Sequence, residues 1–276
     1  MMYPKIACCN FISNTKHLRQ LALEYGFDGI DWSFTRENLP ETPLEESSLA
    51  KVIASLYPLE IRYHCAFKKT DIGHTDAAEA KEAIKVFRSV IRLISRLRGR
   101  SLTIHVGLGR DSTSILSWDR TIESLKDMVI FASNRGVRLC LENLAWGWTS
   151  RPELFEKLIR KTGCWATLDI GHARVSQAVA CQQFKFEDFA LPHPERFLSA
   201  HIYHEERENK HYPPDGLVDI EDRLYFLKEL PMCDWWVLEL REEKPLLKTL
   251  GVMKQFFNCY GNNLIHRYGT HASKSL

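Results

Sequence analysis

The feature that most constrains the fold is an alternation of short strand-like runs with helix-like segments along the 276 residues. Eight runs are rich in β-branched and aromatic residues: Ile6–Phe11, Gly29–Ser33, Ile61–Phe67, Leu102–Gly107, Arg138–Asn143, Ala166–Gly171, Leu198–Tyr203 and Trp236–Leu240. Between them lie segments with the apolar periodicity of helices, for example Thr15–Tyr25, Asp76–Leu97, Asp119–Arg135, Pro152–Lys161 and Ile220–Leu230. Strands that alternate with helices predict a parallel sheet.

Eight such units are enough to close into a (β/α)₈ barrel, a fold of about 250 residues. A doubly wound open sheet is the competing α/β fold, but no GxGxxG follows the first strand and the pattern does not divide into two halves. We therefore predict a single barrel domain over residues 1–259. The polar segment 260–276 is expected to be a disordered C-terminal tail.

Composition narrows the partners and the compartment. The chain has 37 basic and 35 acidic side chains, so its net charge is only +2. This near-neutral charge makes nucleic acid the less favoured partner, although it is compatible with a local basic cleft. The run Arg88, Arg92 and Arg96 is interpreted as a solvated helix face. No apolar run approaches the roughly 20 residues that span a bilayer, and eight cysteines without a CxxC pair indicate reduced thiols. We expect a cytoplasmic protein with no membrane contact and leave its oligomeric state open, a homodimer included.

Ionisable residues stand near the C-terminal ends of six consecutive predicted strands: His64, His105, Glu142, Asp169 with His172, His201 and Glu239. Because residues two apart on a strand share a face, the apolar Leu102 and Ile104 would face the helices while His105 points into the barrel. The same alternation turns Glu142 and Glu239 inward. Carboxylates and imidazoles crowded into one dry space need a compensating charge, and this mixed O/N donor set suits Zn²⁺, Mn²⁺ or Mg²⁺.

Several motifs on these strands resemble the xylose isomerase-like TIM barrel superfamily, over about residues 5–257. They are GFDGIDW, IHVG, LENLA, LDIGHA, AHIYH and LELRE. That superfamily includes sugar and sugar-phosphate isomerases and epimerases and also metal-dependent AP endonucleases of family 2. The resemblance implies the same barrel fold with its active site at the C-terminal mouth.

In the epimerase branch, the resemblance implies one metal ion bound by Glu142, Asp169, His201 and Glu239. Glu142 and Glu239 would also be catalytic, moving a proton through a metal-stabilised enediolate. Beyond this set, the expected substrate-binding residues are His64, His105, His172, Arg207 and Trp146. Arg207 is placed in a loop that aligns in more than one way, and Trp146 offers an aromatic face to a sugar ring.

In the endonuclease branch, additional histidines bind a second and a third metal. Their counterparts here are His64, His105, His172 and His211. That branch has an Asp two residues before the last of these histidines, where this chain has Asn209. The loss of that carboxylate would weaken a third metal site.

The favoured function is therefore a divalent-metal-dependent isomerase or epimerase of a small sugar, sugar phosphate or related polyhydroxy carbonyl compound. The alternative enzyme is a phosphodiesterase that cleaves abasic DNA, which would need loops that displace a nucleotide. A third hypothesis is a barrel that only binds a ligand, which predicts thermal stabilisation without turnover.

Overall fold

The computed structural model describes residues 3–108 and 112–269, with side chains through residue 259 except at Ser112. Eight parallel strands form a barrel: β1 (Lys5–Cys9), β2 (Gly29–Phe34), β3 (Glu60–Cys65), β4 (Ser101–Ile104), β5 (Arg138–Glu142), β6 (Trp165–Asp169), β7 (Phe197–Ile202) and β10 (Trp235–Leu238). Their order around the barrel is β1-β10-β7-β6-β5-β4-β3-β2, and β2 pairs with β1 to close the ring. The predicted (β/α)₈ barrel is confirmed, and each predicted strand overlaps a barrel strand.

Helices follow the strands around the outside of the barrel. They are α1 (Thr15–Tyr25), α2 (Pro43–Ser55), α3 (Ala77–Arg96), α4 (Trp118–Ser133), α5 (Pro152–Thr162), α6 (Ile170–Val175), α7 (Gln177–Ala180), α8 (Glu221–Glu229) and α9 (Glu243–Gly269). Two of them end at a glycine in the left-handed region, Gly26 at φ 79° and Gly163 at φ 73°, because this backbone conformation carries little penalty only without a side chain. None of the helices in the described part of the chain combines the length and the apolar character that a membrane span requires.

Strand residues alternate between the barrel interior and the layer under the helices, as the sequence pattern predicts. Leu102 and Ile104 belong to the large apolar core between strands and helices. Trp235 and Val237 form a separate small cluster with Ala7. This alternation is what directs the polar strand-end residues toward the barrel axis.

Hydroxyl groups tie three strands together inside the barrel, two residues before the strand-end ionisable groups. Thr167 Oγ1 lies 2.9 Å from Thr103 Oγ1 and 2.8 Å from Ser199 Oγ. All three side chains are buried, so these hydrogen bonds satisfy polar atoms that would otherwise be costly. These three hydroxyl groups thus lie directly beneath the strand-end ionisable groups and link the strands that carry them.

Several elements were not assigned from the sequence. Among the helices these are α2, which has no fully buried side chain, and α6, α7 and α9. Among the strands these are β8 (Glu205–Arg207) and β9 (Lys210–Tyr212), an antiparallel hairpin that leaves the barrel after β7. Helix α9 continues to Gly269, past the boundary at residue 259, and residues 270–276 of the predicted tail lie outside the described residues.

All eight cysteines are free thiols, as predicted. Six of them are buried, and Cys181 and Cys259 are exposed.

Candidate metal centre and active site

Four buried ionisable side chains meet at the C-terminal end of the barrel. They are Glu142, Asp169, His201 and Glu239, here called the quartet, and one ligand atom from each lies within 4.8 Å of the others. His201 Nδ1 is 3.2 Å from a Glu142 oxygen, 3.1 Å from a Glu239 oxygen and 3.8 Å from an Asp169 oxygen. No member is more than 5% exposed. The structure thus brings together all four residues expected from the sequence.

The quartet forms because consecutive barrel strands end at the same level. Glu142 is the last residue of β5, Asp169 is the last residue of β6, His201 lies in β7, and Glu239 follows β10. Asp169 and His201 are register partners on neighbouring strands. Parallel strands carry their C-terminal ends to one edge, which is where barrel enzymes place their active sites.

The chemistry of the quartet fits a divalent cation. Asp169 Oδ2 is buried without a hydrogen-bond partner, and burial raises the pKa of Asp169 to about 6. Burial alone would lower the pKa of His201, but Glu142 and Glu239 raise it well above its ordinary value. Positive charge is therefore drawn to this point, and three carboxylates with one imidazole suit Zn²⁺, Mn²⁺ or Mg²⁺.

Backbone and amide groups aim Asp169 at the centre. Asn143 Nδ2 donates to the Asp169 carbonyl at 2.9 Å, and the Asp169 N–H donates to Asn143 Oδ1 at 2.8 Å. Asp169 also caps α6, since its Oδ1 accepts from the His172 N–H at 2.7 Å. These contacts occupy one carboxylate oxygen and leave Oδ2 facing the quartet. Such outer contacts orient metal ligands.

A second group shares Glu142 with the quartet. His105 Nε2 and His64 Nε2 lie 3.1 Å and 3.5 Å from Glu142 Oε2 and 3.1 Å from each other. Burial lowers the pKa of His64 to about 3 although Glu142 opposes the shift, so this ring is a neutral imidazole. Asp31 Oδ2 lies 3.6 Å from His64 Nδ1, and burial raises the pKa of Asp31 to about 6. Asp31 was not identified from the sequence.

A third group consists of His172, Glu206 and His211. Burial alone would lower the pKa of His172, but Asp169 and then the hydrogen bond to Glu206 raise it to about 10. His172 Nε2 lies 3.0 Å from Glu206 Oε2, so the pair neutralises its own charge. His211 Nδ1 donates to the backbone carbonyl of Glu239 at 2.7 Å, which leaves its Nε2 available to a ligand.

The β8–β9 hairpin changes what the sequence indicated for this region. Asn209, which stands where the endonuclease resemblance has an Asp, lines the cavity at its exposed edge. Glu206 supplies the carboxylate three residues earlier, and sequence reasoning missed it. Arg207 is exposed, pairs with Glu205 and lies 5.5 Å from the Tyr212 ring. It is not among the cavity-lining residues, so the structure does not bring this expected substrate ligand to the quartet.

A cavity of about 840 Å³ opens above these groups. Glu142 and Glu239 line it, whereas the other two members of the quartet are not among its lining residues. Trp146 and Leu108 form an apolar part of its wall, and Trp146 Nε1 donates to the Leu108 carbonyl at 3.2 Å. His64, His105, His172 and His211 also line the cavity. Its volume suits a small-molecule ligand.

Several solved structures share this fold, among them sugar epimerases and an endonuclease. A D-tagatose 3-epimerase-like protein aligns with a TM-score of 0.74 at 16% identity, covering 94% of this chain and 99% of its own. An L-ribulose 3-epimerase aligns at 0.69 and 19%, covering 99% and 98%. Endonuclease IV from Thermus thermophilus aligns at 0.66 and 14%, covering 92% and 99%. At these identities the likeness concerns the fold.

Sequence comparisons cover much of the chain. An uncharacterized protein of Methanocaldococcus jannaschii is 28% identical over 186 residues, which is 66% of this chain and 77% of that protein. The family model described as xylose isomerase-like TIM barrel matches residues 19–256. The chain therefore belongs to the xylose isomerase-like TIM barrel family.

Proposed function

We propose that this protein is a divalent-metal-dependent epimerase or isomerase of a small polyhydroxy carbonyl compound, acting by proton transfer between two glutamates. The observation that carries the proposal is that Glu142 and Glu239 belong to the quartet and also line the cavity. A group that moves a proton must reach the substrate as well as be held in place. The epimerase structures that share this fold support the same reaction class.

Each glutamate divides its two oxygens between different neighbours. Glu142 Oε1 contacts His201, while its Oε2 faces His105. Glu239 Oε2 contacts His201, and its Oε1 lies 3.9 Å from His64. Burial would raise the pKa of Glu142, but His201 and His105 hold it well below the usual range. Glu142 is thus ionised, the form in which a carboxylate accepts a proton.

The quartet would hold the metal, whose bound form supplies Lewis acidity that makes a proton next to a sugar carbonyl easier to remove. Glu142 would take that proton from carbon, and Glu239, once it has taken a proton from solvent, would deliver it to the opposite face; Glu142 would then release its proton to solvent. His211, which borders the cavity, would bind a substrate oxygen through its Nε2. Trp146 would pack against the apolar face of the substrate.

The test is hydrogen exchange in D₂O. A ketose incubated with the enzyme should gain deuterium at the carbon next to the carbonyl, detected as loss of its proton NMR signal. Glu142→Gln and Glu239→Gln should each abolish the exchange. Glu79→Gln, at an exposed position of α3, is the matched control and should exchange like the wild type. Normal exchange in either active-site variant would refute the proton-transfer roles.

One observation favours a second candidate, a metal-dependent phosphodiesterase acting on abasic DNA. Three further groups of ligand type adjoin the quartet: Asp31 with His64 and His201, His64 with His105 and Glu142, and His172 with Glu206 and His211. Such enzymes activate water with two or three metals. Against this candidate, a metal in the last group would have to displace the His172–Glu206 ion pair. Cleavage of a duplex with one abasic site, with no exchange in any sugar, would establish it.

A further inference from the structure

We propose that the substrate carries an anionic group, a phosphate monoester or a carboxylate, held by a cationic sector on one side of the cavity mouth. This inference rests on the proposed function, because it names the substrate class of the same site. The cationic sector is defined here as Arg36, Lys68, Lys69 and Arg241, all of which line the cavity.

The four cations stand together because of strand order. Arg241 follows β10, Arg36 follows β2, and Lys68 and Lys69 follow β3. In the closed ring, β10, β1, β2 and β3 are consecutive neighbours. Their C-terminal loops therefore occupy one side of the mouth.

The opposite side of the mouth has a different character. Strand β5, which precedes the Trp146 loop, lies four positions from β1 in the ring of eight and thus across the barrel. Trp146 provides an apolar wall there. A ligand that spans the cavity would meet an apolar face at one end, the quartet glutamates below, and positive charge at the other end. That pattern matches a sugar with a charged terminus.

Nearby carboxylates do not neutralise most of the positive charge of the cationic sector. Among the described residues, Lys68, Lys69 and Arg241 form no ion pair with a carboxylate, in contrast to Lys210, which lies 3.0 Å from Glu242 at the same rim. Arg36 has an acidic neighbour, Glu37, whose carboxylate interacts with it. Two lysines and one arginine thus remain uncompensated. Exposed cations at a cavity mouth raise the local concentration of an anionic ligand.

The backbone at Lys69 supports a role in binding. Lys69 has φ 54°, in the left-handed region that residues with side chains rarely adopt. Such conformations carry a cost and are concentrated at ligand-binding segments. In this loop, the residue with the left-handed conformation is one of two adjacent lysines that both line the cavity.

The experiment compares ligands with and without the anion. Affinities of D-fructose 6-phosphate, D-fructose and a keto-sugar acid are measured by calorimetry on the purified holoenzyme. The variant Lys68→Gln/Lys69→Gln is compared with Lys51→Gln/Lys81→Gln, which removes the same charge from exposed positions of α2 and α3. The ratio of neutral-sugar to anionic-sugar Kd should fall about tenfold in the first variant, a 1.4 kcal/mol effect, and stay constant in the second.

The outcomes separate this inference from the proposed function. Tighter binding of the phosphate supports a phosphate substrate, and tighter binding of the acid supports a carboxylate. Deuterium exchange in neutral ketoses, with a Kd ratio that Lys68→Gln/Lys69→Gln does not alter, would overturn the inference and leave the proposed function standing. Preferential binding of an abasic duplex, weakened by the same variant, would overturn both. If the wild-type enzyme catalyses no deuterium exchange in any of these sugars, but the Kd ratio still falls in Lys68→Gln/Lys69→Gln, the proposed function alone would be overturned.

Discussion

Replacing Gly171 with alanine is the most informative single change near the centre. Gly171 is the second residue of α6, and a Cβ built there would lie 2.0 Å from Cε2 of Tyr203. Tyr203 is fully buried, and its ring stacks on His211 with centroids 3.8 Å apart and planes 4° from parallel. To restore an ordinary contact of 3.4 Å, the ring would have to move by about 1.4 Å.

The expected cost follows from two opposing effects. Overpacking a buried region costs about 1–3 kcal/mol, whereas alanine in place of glycine within a helix regains up to about 1 kcal/mol. The free energy of unfolding of Gly171→Ala should therefore fall by about 1–2 kcal/mol. Since the Tyr203 ring stacks on His211, which is hydrogen-bonded to the Glu239 backbone, metal affinity should fall as well, by about tenfold or more.

Urea unfolding measures the change in stability, provided that the variant and the wild type have the same m-value. Titration with Mn²⁺ measures the change in metal affinity. Gly251→Ala is the control, because a Cβ at this position of α9 would meet nothing within 4 Å. That variant should be as stable as the wild type or slightly more stable. If Gly171→Ala unfolds at the wild-type urea concentration and binds Mn²⁺ equally well, the proposed coupling of Gly171, Tyr203 and His211 is refuted.

Three further predictions concern the centre. Asn143→Ala should lower the free energy of unfolding by about 3 kcal/mol in urea unfolding, because two buried backbone groups of Asp169 lose their partner; an unchanged value would contradict this. Chelation with EDTA should lower Tm and added Mn²⁺ should restore it, since a bound ion stabilises only the folded state; a Tm insensitive to both would count against a metal. Trp146→Ala should raise the KM of a ketose about 5–30-fold in a steady-state assay, the loss of one or two kcal/mol of aromatic contact, whereas an unaltered KM would remove Trp146 from the substrate site.

The barrel was predictable because its signals are local. Apolar periodicity located the strands and five helices, and strand alternation correctly turned Glu142 and Glu239 inward. Asp31 was missed, although the same alternation carried a signal: Gly29, Asp31 and Ser33 fall on one face of β2. Because Asp31 lies in the middle of β2 and not at its C-terminal end, the strand-end pattern did not include it.

Glu206 was harder to find because its place depends on a hairpin. The hairpin turns at Glu208 and Asn209, which both have positive φ, 51° and 60°, and this turn sets Glu206 opposite His211. Only the register of β8 against β9 reveals that pairing, and two strands of three residues leave little pattern to read. The expected substrate contact of Arg207 depends on the same register, which instead exposes this side chain.

The metal content of the native protein tests the central claim most directly. Elemental analysis of protein purified without chelators should give about one divalent ion per chain, since the quartet brings three buried carboxylates around a single imidazole of its own, His201. Asp169→Asn, which keeps the shape of the side chain but removes one carboxylate, should lose most of that metal. A protein that contains no metal and takes up none of the offered Zn²⁺, Mn²⁺ or Mg²⁺ would contradict the account, and about three ions per chain would favour the phosphodiesterase.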